Sequence, residues 1–230
     1  MTSQMPPLAE KSFYNSFLLA GLYAANFLSI AMAALVSADT LAGEINSGTV
    51  QAVATKPLRR MEIVLGKWIG YAVLLALYML PLTGGLILGA YLQSAYLPPN
   101  PLLGMALMYM GGLVMMTVTI AFSSSMSTLA TGGAVFGLYG LAFVVSWVEQ
   151  IGSVINNQTA IQIGVISSLI MPSEALWRRA SFEMTTALVQ LMAGGPFSAR
   201  SVPSVWMVVY GGIYLVAALL IGLRRFSKRD

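Results

Sequence analysis

The residues of this chain that could do chemistry are few, and most sit in one stretch. Between two long apolar segments runs a polar island, Ala38-Asp39-Thr40-Leu41-Ala42-Gly43-Glu44-Ile45-Asn46-Ser47-Gly48-Thr49, continuing through Lys56-Pro57-Leu58-Arg59-Arg60 to Gly66-Lys67. Gly66-Lys67 ends like a phosphate-binding loop, but the G-x-x-x-x-G-K-[ST] pattern fails twice. Met61 stands where its first glycine is needed, and Trp68 replaces the hydroxyl that would reach magnesium. Any nucleotide must therefore be bound by another polypeptide. The chain has no cysteine and no histidine, which removes thiolate nucleophiles, disulfides and the usual zinc and haem ligands. Most acid–base catalysis loses its side chains as well. Glu149, Glu174 and Glu183 form no constellation with a nucleophile and base that the sequence reveals.

These residues must be positioned by membrane-spanning elements. The chain is 57% hydrophobic and 9% charged, against roughly 25% charged in a soluble domain. Its mean hydropathy is +0.79. Five segments are long enough to cross a bilayer, which takes about 20 apolar residues per helix. They run over about 17–38, 63–92, 102–122, 129–148 and 205–223. None alternates in polarity as a barrel strand would, and backbone groups in lipid must be satisfied within the segment. The expected fold is an all-α membrane protein: one domain over 1–230, a polytopic bundle of about five transmembrane helices plus short interfacial outer helices. The second span exceeds the minimum length and should tilt or protrude.

Lysine and arginine set the orientation. Lys56, Arg59, Arg60 and Lys67 lie in the island, and Arg224, Arg225, Lys228 and Arg229 in the tail, eight of the twelve basic residues. Five spans put both on one face, which should be cytoplasmic. The isoelectric point of 9.4 follows from that rule and does not point to nucleic acid. This topology leaves the N-terminus outside, behind a short tail holding Glu10 and Lys11; a missing preceding span would also account for it.

The connections carry their own signals. Pro98-Pro99-Asn100-Pro101 stops a helix in an uncharged outer turn, and 123–128 reads as a tight, hydroxyl-rich inner hairpin. The outer segment 149–203 holds no sixth span, because its apolar run at 160–171 is too short. Pro172-Ser173-Glu174 starts a helix with Ser173 as expected cap. The 160–192 region reads as short helices lying in or dipping into the outer interface. In the loop over 39–62, Gly48 breaks the incoming helix and Thr49 caps a short one over 49–55. Lys56-Pro57 ends it. Val50, Ala52 and Val53 give it an apolar surface, and Arg59, Arg60 and Lys67 can meet anionic lipid headgroups. The alternative is a solvated loop that only satisfies the charge rule.

The pattern Glu44-x3-Gly48-Thr49-x7-Pro57-x2-Arg60-x5-Gly66-Lys67 resembles the signature of ABC-2 type permeases, the membrane subunits of a class of ATP-binding-cassette exporters. The resemblance implies a coupling loop comprising Glu44, Gly48, Thr49, Val50, Val53, Pro57, Arg60, Gly66 and Lys67. Its 49–55 helix would dock in a groove of a separate ABC ATPase subunit that binds ATP and Mg. It also implies a second permease copy or a paralogue, a plasma-membrane location, and no cofactor in this chain. Pro172-Ser173-Glu174-Ala175-Leu176 and Leu223-Arg224-Arg225-Phe226 are similar to the family's outer helices and ending. The family's usual six spans suggest that this chain begins just before the second. A stand-alone carrier or channel, and a membrane anchor or assembly protein, are the rival readings.

Within the spans, Gly84-Gly85-x3-Gly89, Gly111-Gly112, Gly132-Gly133-x3-Gly137 and Gly211-Gly212 permit close helix contact, in internal packing ahead of a dimer seam. Thr117, Thr119 and Ser123 either line a polar path or bond their own helix. The spans hold almost no charge, which argues against a proton relay. The fifteen methionines read as packing filler ahead of soft-metal ligands.

Overall fold

Uncharged runs of this length admit only helices in lipid, and the computed structural model obeys that rule. It describes residues 7–40, 60–186, 189–190 and 201–227, with no strand among them. The helices are α1 (Pro7–Ala38), α2 (Arg60–Ser94), α3 (Pro101–Ser123), α4 (Thr128–Val154), α5 (Gln158–Ile170), α6 (Ser173–Glu183) and α7 (Val205–Ser227). Among the described residues α1, α2, α3, α4 and α7 are long and apolar enough to cross a membrane. Each of the five expected segments lies inside one of them. The chain is a multi-pass helical membrane protein.

Local signals fix several ends. Pro101 opens α3, where a missing N–H costs nothing. Ser127 caps α4, its Oγ accepting from the Ala130 N–H. Asn157 caps α5, its Oδ1 accepting from the N–H groups of Thr159 and Ala160 at 3.1 and 3.2 Å. The expected cap of α6, Ser173, is instead its first helical residue, and Pro172 holds the cap position with no side-chain bond. Proline's fixed φ already suits that position, so the hydroxyl is not needed there. Helix α2 has 35 residues with Pro81 inside it. At 1.5 Å per residue that is roughly 50 Å, well beyond a bilayer core.

Helix α3 is the axis of the bundle. Its most apolar stretch is 61% buried, more than any other span, and α1, α2, α4, α6 and α7 all pack on it. Met108, Met115 and Met116 of α3 are buried in the core, where flexible thioethers fill irregular gaps. The glycines divide into two groups. A Cβ on Gly112 would lie 2.9 Å from Leu75 Cδ2, and one on Gly211 would lie 3.1 Å from Met110 Cε. Gly132, Gly133 and Gly137 of α4 meet nothing within 4 Å. Gly137→Ala should therefore be neutral or gain up to about 1 kcal/mol from helix propensity, read as an unchanged or raised unfolding temperature. A clear loss would mean that another chain covers this face of α4.

Candidate functional site

The loop singled out by the sequence is described only at its base. Glu44, Gly48, Thr49, Val50, Val53 and Pro57 lie outside the described residues. Arg60 is the first residue of α2. Gly66 is exposed, with open space where a Cβ would stand. Lys67 Nζ donates to the Thr40 carbonyl at 2.7 Å, tying the second turn of α2 to the residue that follows α1 closely. The end of α1 is held in turn to the start of α4, where Thr128 Oγ1 donates to Asp39 Oδ1 at 2.6 Å. Arg225 of α7 reaches Ser125 Oγ in the α3–α4 turn at 3.5 Å. The loop base is thus a junction of α1, α2, α4 and α7. Trp68 Nε1 adds a bond to Thr117 Oγ1 at 2.8 Å, joining α2 to the central helix.

Thr117, Thr119 and Ser123 are buried. Their hydroxyls donate to the carbonyls of Leu113, Met115 and Ile120 at 2.7, 2.8 and 2.9 Å. Two apolar cavities flank α2 instead. One of about 500 Å³ lies against α1 and is lined by Phe13, Tyr14, Phe17, Gly21, Gly85 and Gly89, among others. One of about 300 Å³ lies against α3 and is lined by Met79, Thr83, Met105 and Tyr109, among others.

A second constellation escaped the sequence reading. Helices α5 and α6 meet at 109°, and α6 turns back into the bundle against α3. Residues Ser173 to Arg178 are all buried. That bend joins charges distant in the sequence. Arg178 Nη1 stands 2.5 Å from Glu149 Oε1, and Arg178 Nη2 donates to Ser168 Oγ at 3.0 Å. Ser201 Oγ donates to the same Glu149 oxygen at 2.6 Å. Tyr139 Oη donates to Glu174 Oε1 at 2.7 Å. Glu149, Glu174 and Arg178 are each only 2% exposed. Tyr139 sits near the middle of α4, about 15 Å along the axis from Glu149 at 1.5 Å per residue. Of the three buried charges, only Glu149 lies on a spanning helix, toward the end of α4, so the spans themselves hold almost no charge. Glu174 and Arg178 lie in α6, a segment of low hydropathy, and the bent helix pair carries them inward to Glu149 on α4.

Neighbouring rings wall the cluster. Tyr23 of α1 packs on Trp177 at 5.2 Å between centroids and on Phe143 at 6.3 Å, and accepts from Trp147 Nε1 at 3.3 Å. The bend itself leaves carbonyls at the end of α5, and such groups need partners away from water. Tyr210 and Tyr214 of α7 supply them, donating to the carbonyls of Leu169 and Ile170 at 2.6 and 2.8 Å. The cluster thereby clamps α6 to α4 and α5. Among the described residues no three His, Cys, Asp or Glu side chains are grouped to hold a metal.

A family model described as ABC-2 family transporter protein matches residues 4–230. No curated protein matches the chain.

Proposed function

This chain belongs to the ABC-2 family of transporter proteins, and from that membership we propose that it is the permease subunit of an ATP-driven exporter. ATP and Mg bind to a separate ABC ATPase. That subunit docks on the 49–55 helix, and Glu44, Gly48, Thr49, Val50, Val53, Pro57, Arg60, Gly66 and Lys67 form the coupling loop. Two copies, or this chain and a paralogue, enclose the pathway. The loop and the C-terminus face the cytoplasm of a plasma membrane, and cargo leaves on the opposite side, near α5 and α6. Thr117, Thr119 and Ser123, buried in this conformation, are hydroxyls that a rearranged α3 offers to the path.

The observation that carries this reading is the family match over residues 4–230, and the Lys67–Thr40 tie at the loop base offers a route from the loop into the helices. A push on the loop is delivered there to α1 and α2 together, and through Asp39–Thr128 to α4. ATP drives transport only if it favours one of two conformations by differential contacts, and this junction is where such a bias enters the bundle.

The test is a mild-detergent pulldown of the tagged chain from its native membranes, beside a Val50→Asp, Val53→Asp variant. A P-loop ATPase should co-purify with the native chain and drop out with the variant. A well-folded native chain that brings no ATPase would sink the exporter reading. A stand-alone carrier, which the buried Glu149–Arg178 pair also suits, would then lead, ahead of a membrane anchor.

A further inference from the structure

Two carboxyl groups and one guanidinium are buried together where α6 meets α4. With all three ionised the cluster carries one surplus negative charge, and an uncompensated buried carboxylate is strongly penalised. The geometry decides which carboxylate Arg178 compensates. Its Nη1 faces Glu149 Oε1 at 2.5 Å, and its Nη2 is bonded to Ser168. Among the described residues neither its Nε nor its Nη1 makes a hydrogen bond, so the contact with Glu149 is an ion pair by proximity, and Glu149 Oε2 has no hydrogen-bond partner either. Glu149 gains a further donor from Ser201. Glu174 lies one turn before Arg178 on the same helix, and the donor that reaches it is a neutral phenol, Tyr139 Oη at 2.7 Å.

Among the described residues the surroundings add no second cation. Helix α1 presents Tyr23, and α4 presents Tyr139 and, farther along, Glu149. Helices α3 and α5 contain no charged residue. The arginines of α7 are in its last turn, at the loop end of the bundle. On α6 itself, Arg179 is paired with Glu183.

We propose that Glu174 is a proton-binding site inside the bundle, its neutral carboxyl bridging α6 to α4 through Tyr139 while Arg178 serves Glu149. Water that reaches Glu174 when α4 and α6 part takes the proton, and the carboxylate is then solvated. The packed state holds one proton more than the parted state, so rising pH favours parting. The site exists whether or not an ATPase docks on the loop.

Infrared spectroscopy of the full chain in lipid nanodiscs at neutral pH tests this. The native protein should show the C=O stretch of a protonated carboxyl, shifted in D2O. Glu174→Gln should lose that band, and Tyr139→Phe should keep it at a changed frequency. The proposal is overturned if the native chain lacks the band, or if the band survives in Glu174→Gln. Should Glu174→Gln fail to fold, Tyr139→Phe decides, because a band unmoved by loss of the phenol does not arise at this contact.

Discussion

Arg178→Ala is expected to destabilise the bundle by about 3–5 kcal/mol, the usual penalty for breaking a buried ion pair from one side. The guanidinium is 2% exposed and joins two elements: Glu149 at the far end of α4 and Ser168 in α5. Truncation leaves Glu149 buried with the Ser201 hydroxyl donating to it at 2.6 Å. The loss comes chiefly from that stranded charge, not from the contact area. Removing both charges should therefore do less harm than removing one. The Glu149→Gln, Arg178→Met double variant should recover most of the stability lost in Arg178→Ala. Thermal unfolding of the native chain, Glu149→Gln, Arg178→Met and the double variant measures the coupling energy of the pair. Strictly additive losses would show that the pair contributes nothing as a pair.

The same cluster marks the boundary of what the sequence reveals. Spans are read from averages over about 20 residues, and an average survives small errors at either end. The segment read as 102–122 lies within Pro101–Ser123, and that read as 205–223 within Val205–Ser227. Averages fail where a helix is polar yet buried. Helix α6, with Glu174, Arg178, Arg179 and Glu183, reads as an outer segment, whereas Ser173–Arg178 is enclosed by the bundle. A signal was present in its spacing: Glu174 and Arg178 are four apart, so they share a face, and Ala175, Leu176 and Ala180 supply apolar surface around them. No local rule tells that Glu149, 29 positions before Arg178, is the acid that Arg178 meets. That pairing depends on the 109° bend, which is set by packing against α3 and by two tyrosines of α7. At the loop end the reverse holds. The motif is local and legible, and the bonds from Lys67 and Thr128 at its base are what a sequence could not supply.

Gly164→Ala should be the most damaging single methyl in the outer half of the bundle, costing about 1–3 kcal/mol as an overpacking change. A Cβ built on Gly164 falls on Glu149 Cβ and Oε2, with Glu149 Cγ at 2.5 Å. The Oε2 contact alone could be relieved by a new rotamer. The Cβ contact cannot, because that atom is fixed to the backbone of α4, so α4 and α5 must move apart. The hairpin is tight at a second point as well, where a Cβ on Gly152 would lie 2.5 Å from Ala160 Cβ. Parting the two helices also draws Glu149 from Arg178 and Ser168 from its bond, so a packing change becomes an electrostatic one. Unfolding of Gly164→Ala should accordingly be non-additive with Arg178→Ala, since both variants lose the same ion pair. Gly137→Ala, on the open face of α4, is the control for the methyl itself. Equal stability of Gly164→Ala and Gly137→Ala would mean that α4 and α5 are not in close contact at Glu149, and the account of how Arg178 is held would fall with it.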